Sequence, residues 1–191
     1  MFHIIYIITI MGRLRLNNKK SLRIIILLLC VLCIIVFMIV LNLDKFTYDN
    51  DLEQILGVKQ VTIENKKLVD SWAVGEWYVC ESYELDKMSL SSFLSMPAPK
   101  NNIYLSDDKW IRVDWERLPV NDAYSAVESM IINYAANASL NRIINEIKNV
   151  LSSNNGYYSF LVQPSFDIPE KILFCLLDVK GHRLYVVDLK I

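Results

Sequence analysis

Residues 22–43 carry the sequence LRIIILLLCVLCIIVFMIVLNL, and from Ile24 to Leu41 every side chain is apolar. An apolar helix of about 20 residues is roughly 30 Å long, which matches the hydrocarbon core of a bilayer. A helix also satisfies its own backbone hydrogen bonds, which lipid cannot do. The stretch therefore predicts a transmembrane helix. The alternative, a buried core helix, would need the rest of the chain to cover it on all sides.

The charges on either side of this stretch predict its orientation. Five basic residues, the last of them Arg23, come before the apolar run, and the first acidic residue is Asp44. Because the positively charged flank stays in the cytoplasm, we expect residues 1–21 to form a basic cytoplasmic tail. The C-terminal part should then lie outside the cytoplasm, as in a bacterial periplasm.

The anchor is expected to remain uncleaved, in an inner or plasma membrane that the chain crosses once. The apolar run is longer than a signal-peptide core, and no small-residue cleavage site follows it. Whether Met1 or Met11 is the true start stays open, because residues 2–11 form a second, shorter apolar run.

The chain beyond residue 43 is acidic. It holds all 21 acidic residues and 15 of the 20 basic ones, which gives a formal charge of −6. Nucleic-acid affinity depends on cationic contacts to phosphate, so this charge argues against a nucleic-acid partner. It also argues against the domain lying flat on anionic lipid. The length allows one domain with its own core.

Residue periodicity predicts an α+β domain over residues 58–191, joined to the anchor by a juxtamembrane linker over residues 44–57. Alternating and aromatic-rich segments indicate an antiparallel sheet of about five strands. After Pro119 the spacing becomes helical and predicts two amphipathic helices packed on one face of the sheet. The second helix has an apolar stripe of Leu140, Ile143, Ile144, Ile147 and Leu151.

Two turns near the end of the chain follow from local residue types. Gly156 is suited to a left-handed cap that ends the second helix. A two-residue loop at Lys180–Gly181 would place Leu177 opposite Leu184 and Cys175 opposite Val186. The strand ILFCLLDV is nearly continuous in apolar residues, so we expect it to be central and covered on both faces.

The residues of the domain offer little for catalysis. His182 is its one histidine, which leaves no histidine-based triad and no Cys/His cluster at metal-binding spacing. None of its glycines lies in a phosphate-binding loop or a nucleophile elbow. We therefore predict no catalytic residue, no cofactor site and no metal site, and expect neither an enzyme nor a small-molecule binder.

Aromatic residues give the stronger signal. In the strand-like segment KWIRVDWE, alternation would place Ile111, Val113 and Trp115 on the inner face. The other face would combine an exposed tryptophan with charged side chains, as in an interface anchor. Its residues, predicted to bind a partner, are Trp110, Arg112, Asp114 and Glu116.

Cys80 and Cys175 are the two cysteines of the domain. In an oxidising compartment they could form a disulfide. Both lie in apolar, strand-like surroundings, so two buried free thiols are the alternative.

These features favour a membrane-anchored, extracytoplasmic domain that binds a protein partner. One concrete version is an immunity or inhibitor protein that neutralises a toxin outside the cytoplasm. The alternative is a structural or assembly subunit of an envelope or secretion complex, in which the membrane span would also contact partners.

Overall fold

The computed structural model describes residues 26–33, 48–73, 75–104, 109–134, 138–165 and 169–191. Its contacts divide the chain into two units, Met1–Phe46 and Thr47–Ile191. The described residues form an antiparallel sheet of six strands and five α-helices. The fold class is therefore α+β, as predicted.

In the first unit, a helix with exposed side chains covers residues 26–33. No helix within the described ranges is both long and apolar enough to cross a membrane. The predicted span over residues 22–43 is therefore not supported by the described part of the chain. Its residues 22–25 and 34–43, and the predicted basic tail over residues 1–21, lie outside the described residues.

The second unit contains the whole sheet, whose spatial order is β1-β2-β6-β5-β4-β3. All neighbouring strands are antiparallel. The last three strands form a meander, and β6 pairs with β2, which joins the meander to the N-terminal hairpin. The strands are β1 (Ile63–Ala73), β2 (Glu76–Leu85), β3 (Ile111–Arg117), β4 (Gly156–Gln163), β5 (Lys171–Asp178) and β6 (Arg183–Lys190).

Four helices cover the two faces of this sheet. They are α1 (Leu52–Leu56), α2 (Lys87–Leu94), α3 (Ser125–Ile132) and α4 (Ala138–Ser152). Helices α3 and α4 pack on one face, here called the α4 face, and all five residues of the predicted apolar stripe are buried there. Helices α1 and α2 cover the opposite face, here called the α1 face. The predicted pair of helices on one face is confirmed, and a second helical cover is added.

Strand β5 shows why both covers are needed. Ile172, Phe174 and Leu176 contribute to the core of the α4 face, whereas Leu173, Cys175 and Leu177 contribute to that of the α1 face. All six side chains are buried. The expectation of a central strand covered on both faces is confirmed.

Most of the predicted linker over residues 44–57 belongs to the folded unit, and its residues 44–47 lie outside the described residues. The compact unit begins at Thr47 rather than at residue 58. Tyr48, Leu52, Ile55 and Leu56 are all buried against the α1 face. This segment therefore belongs to the domain, because its apolar side chains are spaced to cover the sheet.

The hairpin between β5 and β6 has the predicted register, since Leu177 pairs with Leu184 and Cys175 with Val186. Its connection is longer than the predicted two residues. The last strand pair is Asp178 with Arg183, so residues 179–182 form the turn. Within that turn the Lys180 N–H donates to the Asp178 carboxylate at 3.0 Å.

Gly156 has a different role from the predicted helix cap. The left-handed residue after α4 is Asn154, with φ 52°, and Gly156 begins β4. A Cβ atom at Gly156 would lie 2.4 Å from the Leu177 carbonyl oxygen on the neighbouring strand. Glycine is therefore required here by the close approach of two backbones.

Candidate partner-binding surface

Strand β3 lies at one edge of the sheet and pairs with β4 on its inner side. Most of its side chains are exposed, including Arg112, Asp114 and Glu116. Ile111 is the exposed apolar residue of the strand, with 58% of its surface accessible. The strand therefore presents an apolar side chain among charged ones at an open sheet edge.

A β-bulge interrupts this strand and changes the predicted faces. Val113 pairs with Phe160, and the next pair is Glu116 with Tyr158, so β3 has one residue more than β4 between these pairs. Such an insertion reverses the alternation of side chains beyond it. Glu116 therefore lies on the α4 face, whereas Arg112 lies on the α1 face. The four predicted partner-binding residues do not share one face.

Trp115 was expected on the face of Ile111 and Val113, but the bulge turns it onto the α1 face. There it is buried, and its Nε1 donates to the Ile55 carbonyl at 2.6 Å. Its ring meets Phe93 edge to face, with centroids 5.3 Å apart. Trp115 thus joins β3 to both α1 and α2.

Trp110 is half-buried rather than exposed, because it packs at the margin of the same cluster. The predicted exposed tryptophan is therefore partly covered in the structure.

Arg112 connects β3 to the preceding loop. Its Nη2 donates to the carbonyl of Ile103 at 2.5 Å. Asn101 is fully buried, and its side-chain amide binds Ser159 and the Ile103 N–H. These contacts fix Asn101 and Ile103, and the next residue, Tyr104, is 82% exposed. Because loops on a rigid scaffold often carry binding residues, Tyr104 is a candidate that the alternation of β3 alone could not identify.

Glu116 belongs to a separate contact on the α4 face. It accepts a hydrogen bond from the Tyr158 hydroxyl, which also accepts one from the Asn121 N–H at 3.2 Å. Burial, assisted by the bond to Glu116, raises the pKa of Tyr158 to about 12. Glu116 therefore links the edge strand to the segment that leads into α3.

We define the β3 surface as the exposed and half-exposed residues along the edge strand and just before it: Tyr104, Trp110, Ile111, Arg112 and Asp114. It includes both sides of the edge, because Ile111 lies on the α4 face and Arg112 on the α1 face. Arg112 and Asp114 provide one charge of each sign. The surface combines aromatic, aliphatic and charged groups, which is the composition of many protein interfaces.

A buried carboxylate lies elsewhere on the α1 face. Glu81 of β2 is fully buried and accepts hydrogen bonds from the Tyr48 N–H at 2.9 Å and from the Tyr83 hydroxyl. Its other oxygen lies 3.1 Å from Lys66 Nζ, which also pairs with Asp49 at 2.7 Å. We call these five residues the Glu81 cluster. It fastens the first residues of the domain to β1 and β2.

Asp188 of β6 forms the next polar contact on this face. It accepts hydrogen bonds from Trp77 Nε1 and from the Tyr48 hydroxyl, each at 3.1 Å. Burial raises the pKa of Asp188, and these two bonds oppose that shift. Lys171 and Lys190 lie over the Trp77 ring, with Nζ atoms 5.3 and 5.0 Å from its centroid.

Two surface depressions accompany the α4 face. One, of about 210 Å³, has Ser82, Glu146 and Arg183 in its lining, and the other, of about 410 Å³, has Tyr134, Asn141 and Lys148 in its lining. His182 lies in the β5–β6 turn with a left-handed backbone, at φ 51°. Among the described residues, no group of three or more His, Cys, Asp and Glu side chains could hold a metal ion.

Cys80 and Cys175 are both buried free thiols. Cys80 lies on the α4 face of β2 and Cys175 on the α1 face of β5, with β6 between the two strands. Two strand spacings are about 9–10 Å, which is longer than the Cα distance of a disulfide. The disulfide is therefore not formed in this structure. Burial raises the pKa of Cys175 to about 12.

Comparison with known proteins found no match: no family model, no curated protein and no solved structure is similar to this chain.

Proposed function

We propose that this chain is a single-pass membrane protein whose extracytoplasmic domain binds a protein partner through the β3 surface. The observation that carries the proposal is the open edge of β3. It presents an exposed isoleucine and, just before the strand, an exposed tyrosine beside charged side chains.

The edge strand supports a protein partner because its outer N–H and C=O groups can pair with an added strand. Ile111 and Arg112 lie on opposite faces of that edge. Each would therefore contact side chains on a different face of the added strand. The bulge and the charges of β3 restrict indiscriminate pairing. These features favour a specific partner over self-association.

The charge of the domain supports a basic partner. The chain after residue 43 has a formal charge of −6, and complementary charge speeds association and discriminates between partners. An immunity or inhibitor protein that neutralises a basic toxin outside the cytoplasm fits this charge. This version of the proposal is supported by charge and compactness rather than by a recognised motif.

The membrane anchor is supported by sequence. The uninterrupted apolar run of residues 24–41 and the basic residues before it are typical of a single span with a cytoplasmic N-terminus. Fractionation of cells that express the full chain tests this part. We expect the chain in the membrane fraction after alkaline carbonate washing, and a reporter fused after Ile191 outside the cytoplasm.

Binding is tested by in-cell cross-linking of the tagged full chain, followed by mass spectrometry, in parallel with matched variants. Ile111→Lys and Tyr104→Ser change the β3 surface. Met88→Ser removes another apolar side chain, 74% exposed, on α2. We expect the partner to be lost from the first two variants and kept by the third. Equal recovery in all three would contradict the assignment of the surface.

A second function is favoured by the length of the apolar run, which could itself contact other membrane helices. In that case the chain is a structural or assembly subunit of an envelope or secretion complex. Replacing residues 22–43 with an unrelated anchor discriminates between the two functions. A binder keeps its partner after this exchange, whereas an assembly subunit loses its place in the complex.

A further inference from the structure

A polar cavity of about 210 Å³ is lined by residues of β1, β2, β6 and α4. Ser82 of β2 is the Cα partner of Lys67 on one side and of Tyr185 on the other. Further along β2, Glu84 is the partner of Arg183. Tyr185 belongs to the core of the α4 face, so these rows lie on that face. We call it the mixed-charge cavity, and its hydroxyl and charged side chains include those of Lys67, Ser82, Glu84, Glu146 and Arg183.

The hydroxyl group of Ser82 indicates that the cavity holds a polar group. Ser82 is only 6% exposed, and its hydroxyl forms no hydrogen bond with any described residue. It is not one of the fully enclosed atoms that lack a partner, so it is open to the cavity. Buried polar side chains nearly always have a hydrogen-bond partner. A polar group bound in the cavity would supply this bond.

The ammonium group of Lys67 acts on the same face. Burial is the main reason why the pKa of Cys80, which precedes Ser82 on the α4 face of β2, is raised, and the charge of Lys67 opposes this increase. Within the described residues, Lys67 forms no ion pair. Lys66 also borders the cavity, but its ammonium group is held in the Glu81 cluster.

The two carboxylates of the cavity differ in their partners. Glu146 of α4 lies 3.6 Å from Arg183 Nη1 and accepts a hydrogen bond from the Tyr185 hydroxyl at 3.4 Å. A hydrogen bond to Tyr185, and after it the charges of Glu146 and Glu84, raise the pKa of Arg183. Glu84 itself forms no ion pair with a described residue. The pairing of Arg183 with Glu146 thus leaves one cation, Lys67, and one anion, Glu84, outside any ion pair of the described chain.

From this arrangement we propose that the mixed-charge cavity binds a small zwitterion, a free amino acid whose carboxylate contacts Lys67 and Ser82 and whose ammonium group contacts Glu84. A ligand with one charge of each sign matches both sides of the cavity, whereas an ion of a single sign is repelled by one of them. The volume corresponds to about seven water molecules. The amino acid is therefore a small one, such as alanine or serine.

This inference goes beyond the proposed function and departs from the expectation that the domain binds no small molecule. The cavity residues come from three strands and a helix and share no sequence motif, so only the fold brings them together. The inference depends neither on the membrane anchor nor on the β3 surface, because the whole cavity is formed by β1, β2, β6 and α4.

Equilibrium dialysis of the full chain in a non-ionic detergent, with radiolabelled L-alanine as the probe, tests the proposal. We expect the chain to retain the label and unlabelled L-serine to displace it. Propanoate and ethylamine each keep only one of the two charges of alanine. They should therefore need about tenfold higher concentrations than L-serine to displace the label.

Three variants assign the binding to the cavity. Lys67→Met, Ser82→Ala and Glu84→Gln should each lower the affinity for L-alanine about tenfold, because each removes one charged or hydrogen-bonding contact. The matched controls Lys87→Met and Glu76→Gln change exposed residues outside the cavity and should bind as the natural chain does. Far-UV circular dichroism checks that each variant is folded.

Two results would overturn the inference. A natural chain that retains no more label than Lys67→Met, or none at all, does not bind the amino acid in this cavity. Displacement by propanoate at the same concentration as L-serine would indicate a site for simple carboxylates and contradict the role of Glu84. This second comparison uses the natural chain alone, so it holds even where a variant fails to fold.

Discussion

At the scale of single residues, the Glu81 cluster depends on one compensating charge. The carboxylate of Glu81 is fully buried, and Lys66 is the cation that faces it. Replacing Lys66 with methionine would leave a buried charge without its counter-ion, and we expect a loss of about 3 kcal/mol in the free energy of unfolding. Urea denaturation followed by circular dichroism measures this loss.

Lys67 provides the matched control for this prediction, because it is the next residue of β1 and is exposed. Lys67→Met should change the free energy of unfolding by less than about 0.5 kcal/mol. The double variant Lys66→Met/Glu81→Gln should lose less than the two single variants together, since it removes both charges. An additive result would mean that the two residues are not coupled.

The pKa of Asp188 predicts a pH dependence of stability. Burial raises this pKa in the folded state, so the folded chain binds the proton more tightly than the unfolded chain does. This contribution to stability is complete below the unfolded pKa of about 3.9 and is lost as the pH rises through the folded pKa. As the pH is lowered from 7 to 4, the natural chain should therefore gain stability relative to the Asp188→Asn variant. Its urea midpoint should fall less, or rise more, than that of the variant. Parallel curves for the two proteins would contradict the shift.

At the scale of secondary-structure elements, Trp115 in β3 and Trp110 just before this strand contribute unequally to stability. Trp115 is buried and bonded to the Ile55 carbonyl, whereas Trp110 is half-buried at the margin. We expect Trp115→Ala to lower the free energy of unfolding by about 3–5 kcal/mol, and Trp110→Ala by about 1 kcal/mol. Chemical denaturation of both variants measures these losses. A larger loss for Trp110→Ala than for Trp115→Ala would contradict the bulge and favour unbroken alternation along the segment.

The start of β4 is a second element-scale test. Gly156→Ala would place a Cβ atom 2.4 Å from a backbone oxygen, which cannot move as a flexible side chain could. Gly75 has φ 84° and nothing within 4 Å of a Cβ, so Gly75→Ala suffers only backbone strain. We expect thermal melts to show a larger fall in Tm for Gly156→Ala. Equal melting temperatures would contradict the close approach.

Elements with strong local patterns could be predicted from sequence, and elements that depend on neighbouring strands could not. The stripe of α4 and the register of Leu177 with Leu184 follow from periodicity and turn position. The bulge between Val113 and Glu116 depends on pairing with β4, which no spacing within KWIRVDWE reveals. The predicted partner-binding residues were divided between two faces for this reason.

At the scale of the whole molecule, the second helical cover was the main feature that sequence did not reveal. Helix α1 has five residues and α2 has eight, and the spacing of residues within such short segments does not say which face of the sheet they cover. The sequence predicts a linker over residues 44–57, although Tyr48 and Leu52 are buried. The sheet contains six strands rather than about five because residues 63–85 form a full hairpin.

The strand order also predicts how stability is distributed. Strands β5 and β6 are paired on both sides, and most of their side chains are buried. Strand β3 lies at an edge and is mostly exposed. Hydrogen exchange followed by mass spectrometry should show the slowest amides in β5 and β6, and much faster exchange in β3. Comparable protection in β3 would indicate that its outer edge is covered.

The attachment of Tyr48 has a mechanical consequence. Its backbone N–H is bound by Glu81 on β2, and its hydroxyl binds Asp188 on β6. Tension pulling on the chain ahead of Tyr48 is thus delivered to two interior strands that brace each other. Edge strand β1 is joined to the same segment by the partly exposed ion pair of Asp49 with Lys66, so it shares the load with the two interior strands instead of carrying it alone.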